Sequence, residues 1–582
     1  MELHFSDKSR SKTLAIVIVG LMAVFILQLF YIQVIKHGYY VQLADAEQMR
    51  KFTLHAKRGE IYVLDRATPT KLVMNETVYT VWVDPTLVTD KNGIVTALNE
   101  VAGGNVRDNF AKYIDVEKTR YQVLATKVTR TQAEMLKKKK LAGLGFDAVS
   151  QRVYPEGQLA SQIIGFVNNE GKGLYGFEQE NDDQLKGRDG LLNTVTDVRD
   201  VPLTVTDKNI KKPAVDGKNM VLTIDRNVQS QVEQALVNGI NRSGAKKASA
   251  IVMDPQNGKI FAMANYPTFD PSKLHEVKDE DQVSNDVIMN PYEAGSDIKT
   301  FTVAVGVDKG VILPDSTYVN TDSIKVDDIT IKNASLGKTG TITMQTALNW
   351  SLNTGMVTIA QRLGNGSYIT RGARDTIYDY FHNRFRLAEK TGIELANEAD
   401  GVMIAPDQPN GNAVQYSTMV FGQGMNVTML QVASGFSAIV NGGTYHTPTV
   451  IAGAIDKDGK FKEAALRAQY PGVISAASSD IVRTMVNESH YATYNPHDGS
   501  DKYLVGGKTG TSQTIINGKY VDNQTIGTYL GYGGEKGQIP RYVIMVEISG
   551  KGQNMSGGSD AKPIFNEISN WMINYLKLTP KD

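Results

Sequence analysis

The chain has 582 residues, enough for about four domains of ordinary size. Its 62 basic and 62 acidic residues give a formal net charge of zero, which argues against nucleic-acid binding because non-specific binding needs a basic surplus. The absence of cysteine excludes disulfides, thiolate metal sites and a cysteine nucleophile.

The first distinctive segment is residues 13–35, a stretch of 23 residues without a charge. As a helix it would reach about 34 Å, and the hydrocarbon core of a bilayer is about 30 Å thick. A cleaved signal peptide is the alternative, but its apolar stretch is usually shorter. We therefore expect a tail at residues 1–12 and a single transmembrane helix at residues 13–35. Basic residues flank this helix on both sides, so the positive-inside rule gives no orientation.

Beyond the anchor, residues 36 to about 56 are predicted to continue as a partly amphipathic helix. Short β-rich runs such as Tyr79–Val83 follow, and a stretch rich in Lys and Pro precedes the strand-like run 220–224. This change in pattern predicts a domain boundary. The expected domains are residues 36–215 and residues 216–578.

Three short motifs further along indicate chemistry. The first is Ser296-Asp297-Ile298-Lys299, which opens a run compatible with a helix. Positions three apart share one face of a helix, so the lysine amine can reach the serine hydroxyl. A serine becomes a good nucleophile when a base takes its proton, and a desolvated lysine can be that base. Asp297, one step along, should point about 100° away from the Ser–Lys face.

The second motif is Ser351-Leu352-Asn353, and the third is Lys508-Thr509-Gly510-Thr511. Strand-like runs at 529–532 and 542–548 follow the third motif. It is not a phosphate-binding loop, because the position where that loop requires its first glycine is Lys502. Each motif alone is weak, whereas the ordered set on a helix, a loop and a strand is much more specific.

A second Lys-Thr-Gly-Thr run, residues 338–341, lies ten residues before Ser351. It leads into a helical pattern rather than an antiparallel strand. We therefore interpret this second copy as a coincidence.

With these motifs the chain resembles the class B penicillin-binding proteins, the D,D-transpeptidases that cross-link peptidoglycan in division or elongation. The resemblance covers nearly the whole chain. Further stretches that carry it are Arg58-Gly59-Glu60-Ile61, Arg152-Val153-Tyr154-Pro155, Gly176-Phe177-Glu178, Leu222-Thr223-Ile224-Asp225 and Phe421-Gly422-Gln423-Gly424.

The resemblance implies an α+β fold with three parts. A single transmembrane helix would be followed by an elongated, mostly β pedestal similar to the family's dimerisation domain. The penicillin-binding, β-lactamase-like transpeptidase domain would then consist of an antiparallel sheet flanked by helices, with an all-α lobe that carries Ser351.

The resemblance also implies residue roles. Ser296 would attack the carbonyl of the penultimate D-Ala of a stem peptide, with Lys299 as its general base. Ser351, together with Lys508, would relay a proton toward the leaving amine. The backbone N–H groups of Ser296 and Thr511 would form the oxyanion hole. The residues expected to bind the substrate are Asn353, Thr509, Gly510 and Thr511.

The implied partners are peptidoglycan stem peptides, β-lactams, a polytopic SEDS-type glycan polymerase and other division or elongation proteins. The resemblance also implies that neither a metal nor another cofactor is needed. The N-terminus would be cytoplasmic and the bulk of the chain extracytoplasmic.

Two residues depart from the family's pattern, since Ala294 stands where Pro is usual and Asp297 where Thr is usual. The alternatives are a non-catalytic β-lactam sensor or polymerase scaffold, and a serine D,D-carboxypeptidase or β-lactamase.

Overall fold

The computed structural model describes residues 7–40, 43, 49–116, 119–168, 170–195, 210–493, 500–516 and 519–581. The chain divides into two units. They are made of Met1–Lys57 with Gly187–Gly217, and of Arg58–Lys186 with Lys218–Asp582.

The first unit contains the predicted membrane helix. An α-helix spans Asp7–Phe30 and continues through a π-helical turn at Tyr31–Ile35. The 26 residues Arg10–Ile35 are exposed, apolar and long enough to cross a membrane. The prediction of a spanning helix over residues 13–35 therefore agrees with the structure.

The predicted helical continuation to about residue 56 is wrong at its end. Met49–Leu54 is a strand that pairs antiparallel with Gly190–Val195, which in turn pairs with Ile210–Lys212. The partner strand lies more than 130 residues away in the sequence, and a local periodicity cannot report such a partner. The part of this prediction that falls on residues 41, 42 and 44–48 lies outside the described residues.

The second unit opens with a mixed sheet of seven strands, which supports the expectation of a mostly β pedestal. Helices Lys91–Val101 and Arg130–Lys138 share a small core with it, in which Ile94 and Leu136 meet Val81. In order across the sheet the strands are Phe461–Glu463, Ile451–Ile455, Asn219–Asp225, Ile61–Asp65, Thr68–Val83 and Gln122–Thr129, with Leu144–Val153 also paired to Thr68–Val83.

This sheet crosses the predicted domain boundary at 215/216. Ile61–Asp65 pairs in parallel with Asn219–Asp225, which pairs on its other side with Ile451–Ile455. Strands from both predicted domains therefore share one hydrogen-bonded ladder. The boundary itself stays a prediction.

A buried ionic cluster ties the Arg58-Gly59-Glu60 stretch to the rest of the pedestal. The Glu178 carboxylate is fully buried, and accepts hydrogen bonds from Arg58 Nε at 2.8 Å and Arg152 Nε at 2.8 Å. Arg58 Nη1 also lies 2.7 Å from Asp182 Oδ1, and Arg152 Nη1 donates to the Gly59 carbonyl at 2.7 Å. Each buried charge thus has a partner of opposite sign, as burial of charges requires.

The part of the unit that carries the three motifs is built on a five-stranded antiparallel sheet, which we call the central sheet. Its side chains alternate between two cores, so that Ile251 and Met545 face one helical layer while Val252 and Val546 face the other. In order across the sheet the strands are Ile260–Tyr266, Lys247–Met253, Tyr542–Ser549, Lys519–Gly534 and Leu504–Ile516.

Helices cover both faces of the central sheet. Arg226–Ser243 and Lys562–Tyr575 pack on one face. The other face carries Lys299–Asp308, Met429–Val440 and Ala476–Thr493. Shorter helices form the all-α lobe: Met344–Asn349, Asn353–Leu363, Arg371–Tyr378 and Ala413–Met419. The predicted α+β fold with its helical lobe is confirmed.

The remaining elements are short. The helices are Ser161–Ile164, Gly176–Glu180, Asp182–Leu185 and Asp286–Met289. The strands are Phe166–Val167, Gly173–Leu174, Thr317–Asn320, Ser323–Val326, Ile329–Lys332, Gly340–Thr343, Thr444–His446 and Gln469–Pro471.

The ionic cluster generates a stability prediction. Glu178→Gln leaves two buried guanidinium groups without their shared counter-charge, and we expect it to lower the free energy of unfolding by about 3–5 kcal/mol. The matched control is Glu156→Gln, which removes a half-exposed carboxylate from Arg226 and should cost at most about 1 kcal/mol. Thermal unfolding of both variants checks this, and similar losses for the two would contradict it.

Candidate active site

The first motif lies at a tight turn that enters a buried helix. Ser296 is half-buried in the 3₁₀ turn Gly295–Ile298, directly before the helix Lys299–Asp308. Gly295 has φ +57°, a backbone conformation that favours glycine, and its N–H donates to the Gly422 carbonyl at 3.1 Å. A Cβ on Gly422 would lie 1.9 Å from the Gly295 carbonyl oxygen. The two backbones therefore approach as closely as glycine alone permits.

The lysines of the first and third motifs meet at the serine of the second. Lys299 Nζ donates to Ser351 Oγ at 3.1 Å and to the Ser351 carbonyl at 2.6 Å. Lys508 Nζ donates to the same Oγ at 2.9 Å. Both lysines are buried, with 1% and 3% of their surface exposed. The structure thus brings together three of the predicted catalytic residues around one hydroxyl.

Burial sets the charge of this cluster. Burial, together with the nearby charge of Lys508, holds the pKa of Lys299 well below its usual range. Burial also lowers the pKa of Lys508, whereas the carboxylate of Asp297 acts to raise it. Two ammonium groups around one oxygen repel each other, so one amine is favoured in its neutral form. Lys299 is the neutral one, since no acid compensates its burial in the same way.

Ser351 is held in a strained conformation between two helices. Its φ is +56°, in the left-handed region that non-glycine residues rarely occupy, at a cost of about 1–3 kcal/mol. The turn is fixed because Ser351 N–H donates to the Leu348 carbonyl at 3.1 Å and Leu352 N–H to the Ala347 carbonyl at 2.9 Å. The hydroxyl is therefore placed by the fold and not by its own preference.

The third motif lies on the end strand of the central sheet, Leu504–Ile516. Lys508 and Gly510 face the same side because they are two residues apart, and Thr511 is exposed. A Cβ on Gly295 would lie 2.9 Å from the Thr511 carbonyl, so the nucleophile turn abuts this strand. Thr511 Oγ1 accepts from Gly557 N–H at 3.3 Å, and Lys508 Nζ lies 3.3 Å from Thr509 Oγ1.

Two predicted site residues have geometries that the sequence did not indicate. The Asn353 side-chain amide donates to the Lys332 carbonyl at 2.8 Å, so its Oδ1 is the atom left for a ligand. Ser296 Oγ makes no hydrogen bond within the described part of the chain, although the i, i+3 spacing predicted one with Lys299. Lys299 instead reaches Ser351 on the helical lobe.

Asp297 points away from Lys299, as its position predicted. Its Oδ2 accepts from Thr528 Oγ1 at 2.7 Å, on the strand next to the third motif, and the residue is fully buried. Burial raises the pKa of Asp297, while Thr528 and Lys508 act to lower it. Asp297 is therefore a buried acid that is hydrogen-bonded to the strand beside the third motif.

Three residues that support the nucleophile turn were not predicted from the sequence. Glu293 Oε1 accepts from Gly424 N–H at 2.7 Å and from Tyr520 O–H at 3.1 Å. Glu293 is the only charged residue between Asp286 and Asp297 in the sequence, and this isolation was the one available signal of its role. The roles of Tyr520 and Thr528 depend on strand register, which the motif search did not address.

The second Lys-Thr-Gly-Thr copy lies in a different structure from the one predicted. Gly340–Thr343 is a strand that pairs antiparallel with Thr317–Asn320. The prediction that this run would not lie on an antiparallel strand, on which its interpretation as a coincidence was based, is therefore wrong. Thr343 accepts from Thr346 N–H at 3.1 Å as the N-cap of the following helix, and an N-cap residue is extended. Lys338 Nζ lies 4.6 Å from the centre of the Trp350 ring. The interpretation as a coincidence stays a prediction.

Within the described ranges, no group of three or more histidine or acidic side chains is placed to hold a metal ion. The functional groups of the site are two lysine amines, two serine hydroxyls and backbone N–H groups. A serine turn, a serine on a helical lobe and a lysine on the end strand of an antiparallel sheet define a penicillin-binding type of acyl-transfer site.

Comparison with known proteins agrees with this class. Residues 248–570 match the penicillin binding protein transpeptidase domain, and residues 53–222 match the penicillin-binding protein dimerisation domain. The stage V sporulation protein D of Bacillus subtilis is 28% identical over 98% of this chain and 87% of its own length. The peptidoglycan D,D-transpeptidase FtsI of Escherichia coli is 26% identical over 94% of this chain and 89% of its own.

A crystal structure of penicillin binding protein 3 from Mycobacterium tuberculosis, complexed with aztreonam, has the same fold. It superposes with a TM-score of 0.66 at 24% identity, and covers 91% of this chain and 98% of its own. Because the transpeptidase match spans more than half of the sequence, the chain belongs to the penicillin-binding protein transpeptidase family. The dimerisation domain and the relatives place it in class B. The family resemblance and the interpretation as a transpeptidase are confirmed.

The close packing of glycines generates a prediction. A Cβ on Gly510 would lie 2.1 Å from Thr528 Oγ1 and 3.0 Å from the Ala294 carbonyl. Gly510→Ala should therefore push the third-motif strand from the nucleophile turn and slow labelling by a fluorescent penicillin by about 10²-fold. Gly104→Ala, where a Cβ meets nothing within 4 Å, is the control. A parent-like rate in folded Gly510→Ala would contradict the prediction.

Proposed function

We propose that this chain is a membrane-anchored serine D,D-transpeptidase that joins peptidoglycan stem peptides through an acyl-enzyme on Ser296. The observation that carries the proposal is the Ser351 hydroxyl held between two buried lysine amines. These lie in a site where the Ser296 turn abuts the third-motif strand. Family membership supplies the substrate class, and the site supplies the residues that would act on it.

The first step needs a base for Ser296. Lys299 is favoured as the neutral amine, so it can accept the Ser296 proton as Oγ attacks the carbonyl carbon of the penultimate D-Ala. The developing negative charge on the carbonyl oxygen would be met by the backbone N–H groups of Ser296 and Thr511. One such donor is typically worth about 3–4 kcal/mol of transition-state stabilisation.

The leaving amine of the terminal D-Ala needs a proton. Ser351 Oγ contacts both lysines, so the proton taken by Lys299 can pass through this hydroxyl to the amine. The acyl-enzyme then remains on Ser296 until the amine of a second stem peptide attacks it. The same residues act in reverse order in this second step.

Substrate binding is assigned to the end strand and its surroundings. Lys508 supplies a positive charge for the terminal carboxylate, and the hydroxyls of Thr509 and Thr511 lie on the same strand. The outer edge of this strand offers main-chain groups to an extended peptide, as in strand addition. Asn353 Oδ1 would accept a backbone N–H of the stem peptide. Gly510 provides the space in which the strand and the nucleophile turn meet.

Location and partners follow from the same proposal. The helix over residues 13–35 would anchor the chain once, with residues 1–12 in the cytoplasm and the remainder outside, where peptidoglycan lies. The pedestal at residues 36–215 and the transpeptidase domain at residues 216–578 would serve together with a SEDS-type glycan polymerase and division or elongation proteins. β-Lactams would acylate Ser296, and the resulting acyl-enzyme would hydrolyse slowly.

The first test is acylation of the full chain in detergent. A fluorescent penicillin should label the parent, and peptide mass spectrometry should place the adduct on Ser296. Ser296→Ala should remove the label, because the hydroxyl that attacks the β-lactam is then absent. A folded parent that takes no label would favour the non-catalytic scaffold instead.

Turnover then separates transfer from hydrolysis. With a donor stem peptide and an amine acceptor, the transpeptidase should form the cross-linked product in preference to the hydrolysed one. Predominant hydrolysis would identify a D,D-carboxypeptidase, and rapid loss of the penicillin adduct would identify a β-lactamase.

The two Lys-Thr-Gly-Thr copies offer a matched pair of variants. Lys508→Met removes an amine from the Ser351 hydroxyl and should lower the acylation rate by about 10²-fold or more, as loss of a proton-transfer group does. Lys338→Met removes an amine that lies over Trp350 and should leave the rate unchanged. Equal losses in the two variants would mean that the second copy belongs to the site.

A further inference from the structure

The carboxylate of Asp297 is in an unusual position for an acid. The residue is fully buried, its Oδ2 accepts one hydrogen bond from Thr528, and its Oδ1 has no hydrogen-bond partner within the described residues. Burial of a carboxylate with a single hydrogen bond is costly unless a cation compensates it. The surroundings of Asp297 must therefore supply a positive charge or a proton.

The geometry indicates which cation is available. Thr528 lies directly opposite Gly510 in the sheet, and a Cβ on Gly510 would be 2.9 Å from Asp297 Oδ2. The missing side chain lets the carboxylate rest against the third-motif strand. Lys508 is two residues before Gly510 on the same strand and therefore faces the same side. Asp297 and Lys508 thus occupy adjacent positions on one face of the central sheet.

Each of the two groups acts on the ionisation of the other. The carboxylate of Asp297 raises the pKa of Lys508, and the ammonium of Lys508 lowers the pKa of Asp297, while burial opposes ionisation of both. These reciprocal effects are those of an ion pair that is not in direct contact.

Other charges around the pair do not replace Asp297. Lys299 and Lys562 are amines and cannot supply a negative charge, and the pKa of Lys562 is itself lowered to about 8 by burial and by Lys508. Glu547 lies opposite Thr528 on the next strand, and burial raises its pKa to about 8, so it is protonated near neutral pH. Further ionisable side chains on elements packed around the pair include His490, Tyr292, Tyr529, Tyr520 and Asp560.

We propose that Asp297 is a positioning residue that acts through Lys508. Its buried carboxylate, placed by Thr528 and by the absence of a side chain at Gly510, is the counter-charge that keeps Lys508 an ammonium in the closed site. This inference rests on the proposed function, in which the Lys508 ammonium binds the terminal carboxylate of the substrate. Threonine, the family's usual residue here, cannot supply this charge, so the device is particular to chains with an acid at this position.

The proposal predicts that acylation is fast only within a limited range of pH. Acylation should be lost as pH falls through the pKa of Lys299, because the base becomes protonated. It should also be lost as pH rises through the pKa of Lys508, because the ammonium disappears. Asp297→Asn removes the charge that raises the pKa of Lys508. The alkaline limb of the profile should therefore move to lower pH by about one unit, the usual effect of losing one close opposite charge.

The test is the pH profile of penicillin acylation by the full chain in detergent. Asp297→Asn and Asp297→Thr should both acylate about tenfold more slowly than the parent above the alkaline midpoint, and nearly normally at pH values well below the shifted midpoint. The control is Asp308→Asn at the other end of the same helix, where the carboxylate accepts from Ser475 N–H at 2.8 Å and Tyr380 O–H at 2.6 Å. It should not move the alkaline limb. An unshifted limb in Asp297→Asn, or a uniform loss at every pH, would overturn the proposal.

A second measurement does not depend on acylation. The infrared difference between parent and Asp297→Asn reports the carboxyl group of Asp297 directly, and the proposal requires it to be ionised at the pH where Lys508 is charged. Lys508→Met should shift this ionisation to higher pH, since a buried carboxylate without its cation holds its proton. A carboxyl that stays protonated throughout would overturn the inference. Absence of Ser296 labelling with a normal infrared titration would instead count against the proposed function alone.

Discussion

The site depends on one electrostatic constraint, which is that two buried amines contact the same hydroxyl oxygen. Two unit charges about 5 Å apart repel by about 3 kcal/mol at an effective dielectric constant of 20. This repulsion, added to the loss of hydration, favours a neutral amine at Lys299 and a charged one at Lys508. One lysine is then available to take a proton and the other to bind an anion. The same residue type thus serves two opposite purposes because the surroundings differ.

Backbone packing keeps these groups in place. Gly295, Gly422 and Gly510 lie where a single added carbon would overlap a carbonyl or hydroxyl of a neighbouring segment. Ser351 is fixed in a left-handed conformation by the turn around it. A site built from such contacts is preorganised, since its donors need no reorganisation when charge develops. Substitution of these glycines or of Ser351 would disturb the site. Substitution of a surrounding side chain such as Asp297 can therefore change reactivity more readily.

The sequence predicted the order of the motifs, the elements that carry them and the α+β fold, because each depends on local pattern. Ser296 at a helix entry and Lys508 on a strand are examples. Contacts between distant segments could not be predicted in the same way. Met49–Leu54 is a strand because it pairs with a segment far along the chain. Gly340–Thr343 is a strand because it pairs with Thr317–Asn320. Thr528 meets Asp297 only through strand register, which short motifs do not specify.

The sheet that crosses the predicted boundary at 215/216 has a practical consequence for dissecting the protein. Asn219–Asp225 is buried along nearly its whole length and is hydrogen-bonded on both sides. A fragment beginning at residue 216 would lose Ile61–Asp65 and present Met220, Val221 and Leu222 on an unprotected edge. Exposed apolar edge strands recruit one another into aggregates. Fragments that retain the strand Ile61–Asp65 should accordingly be the soluble ones, so the smallest well-behaved catalytic unit includes part of the pedestal.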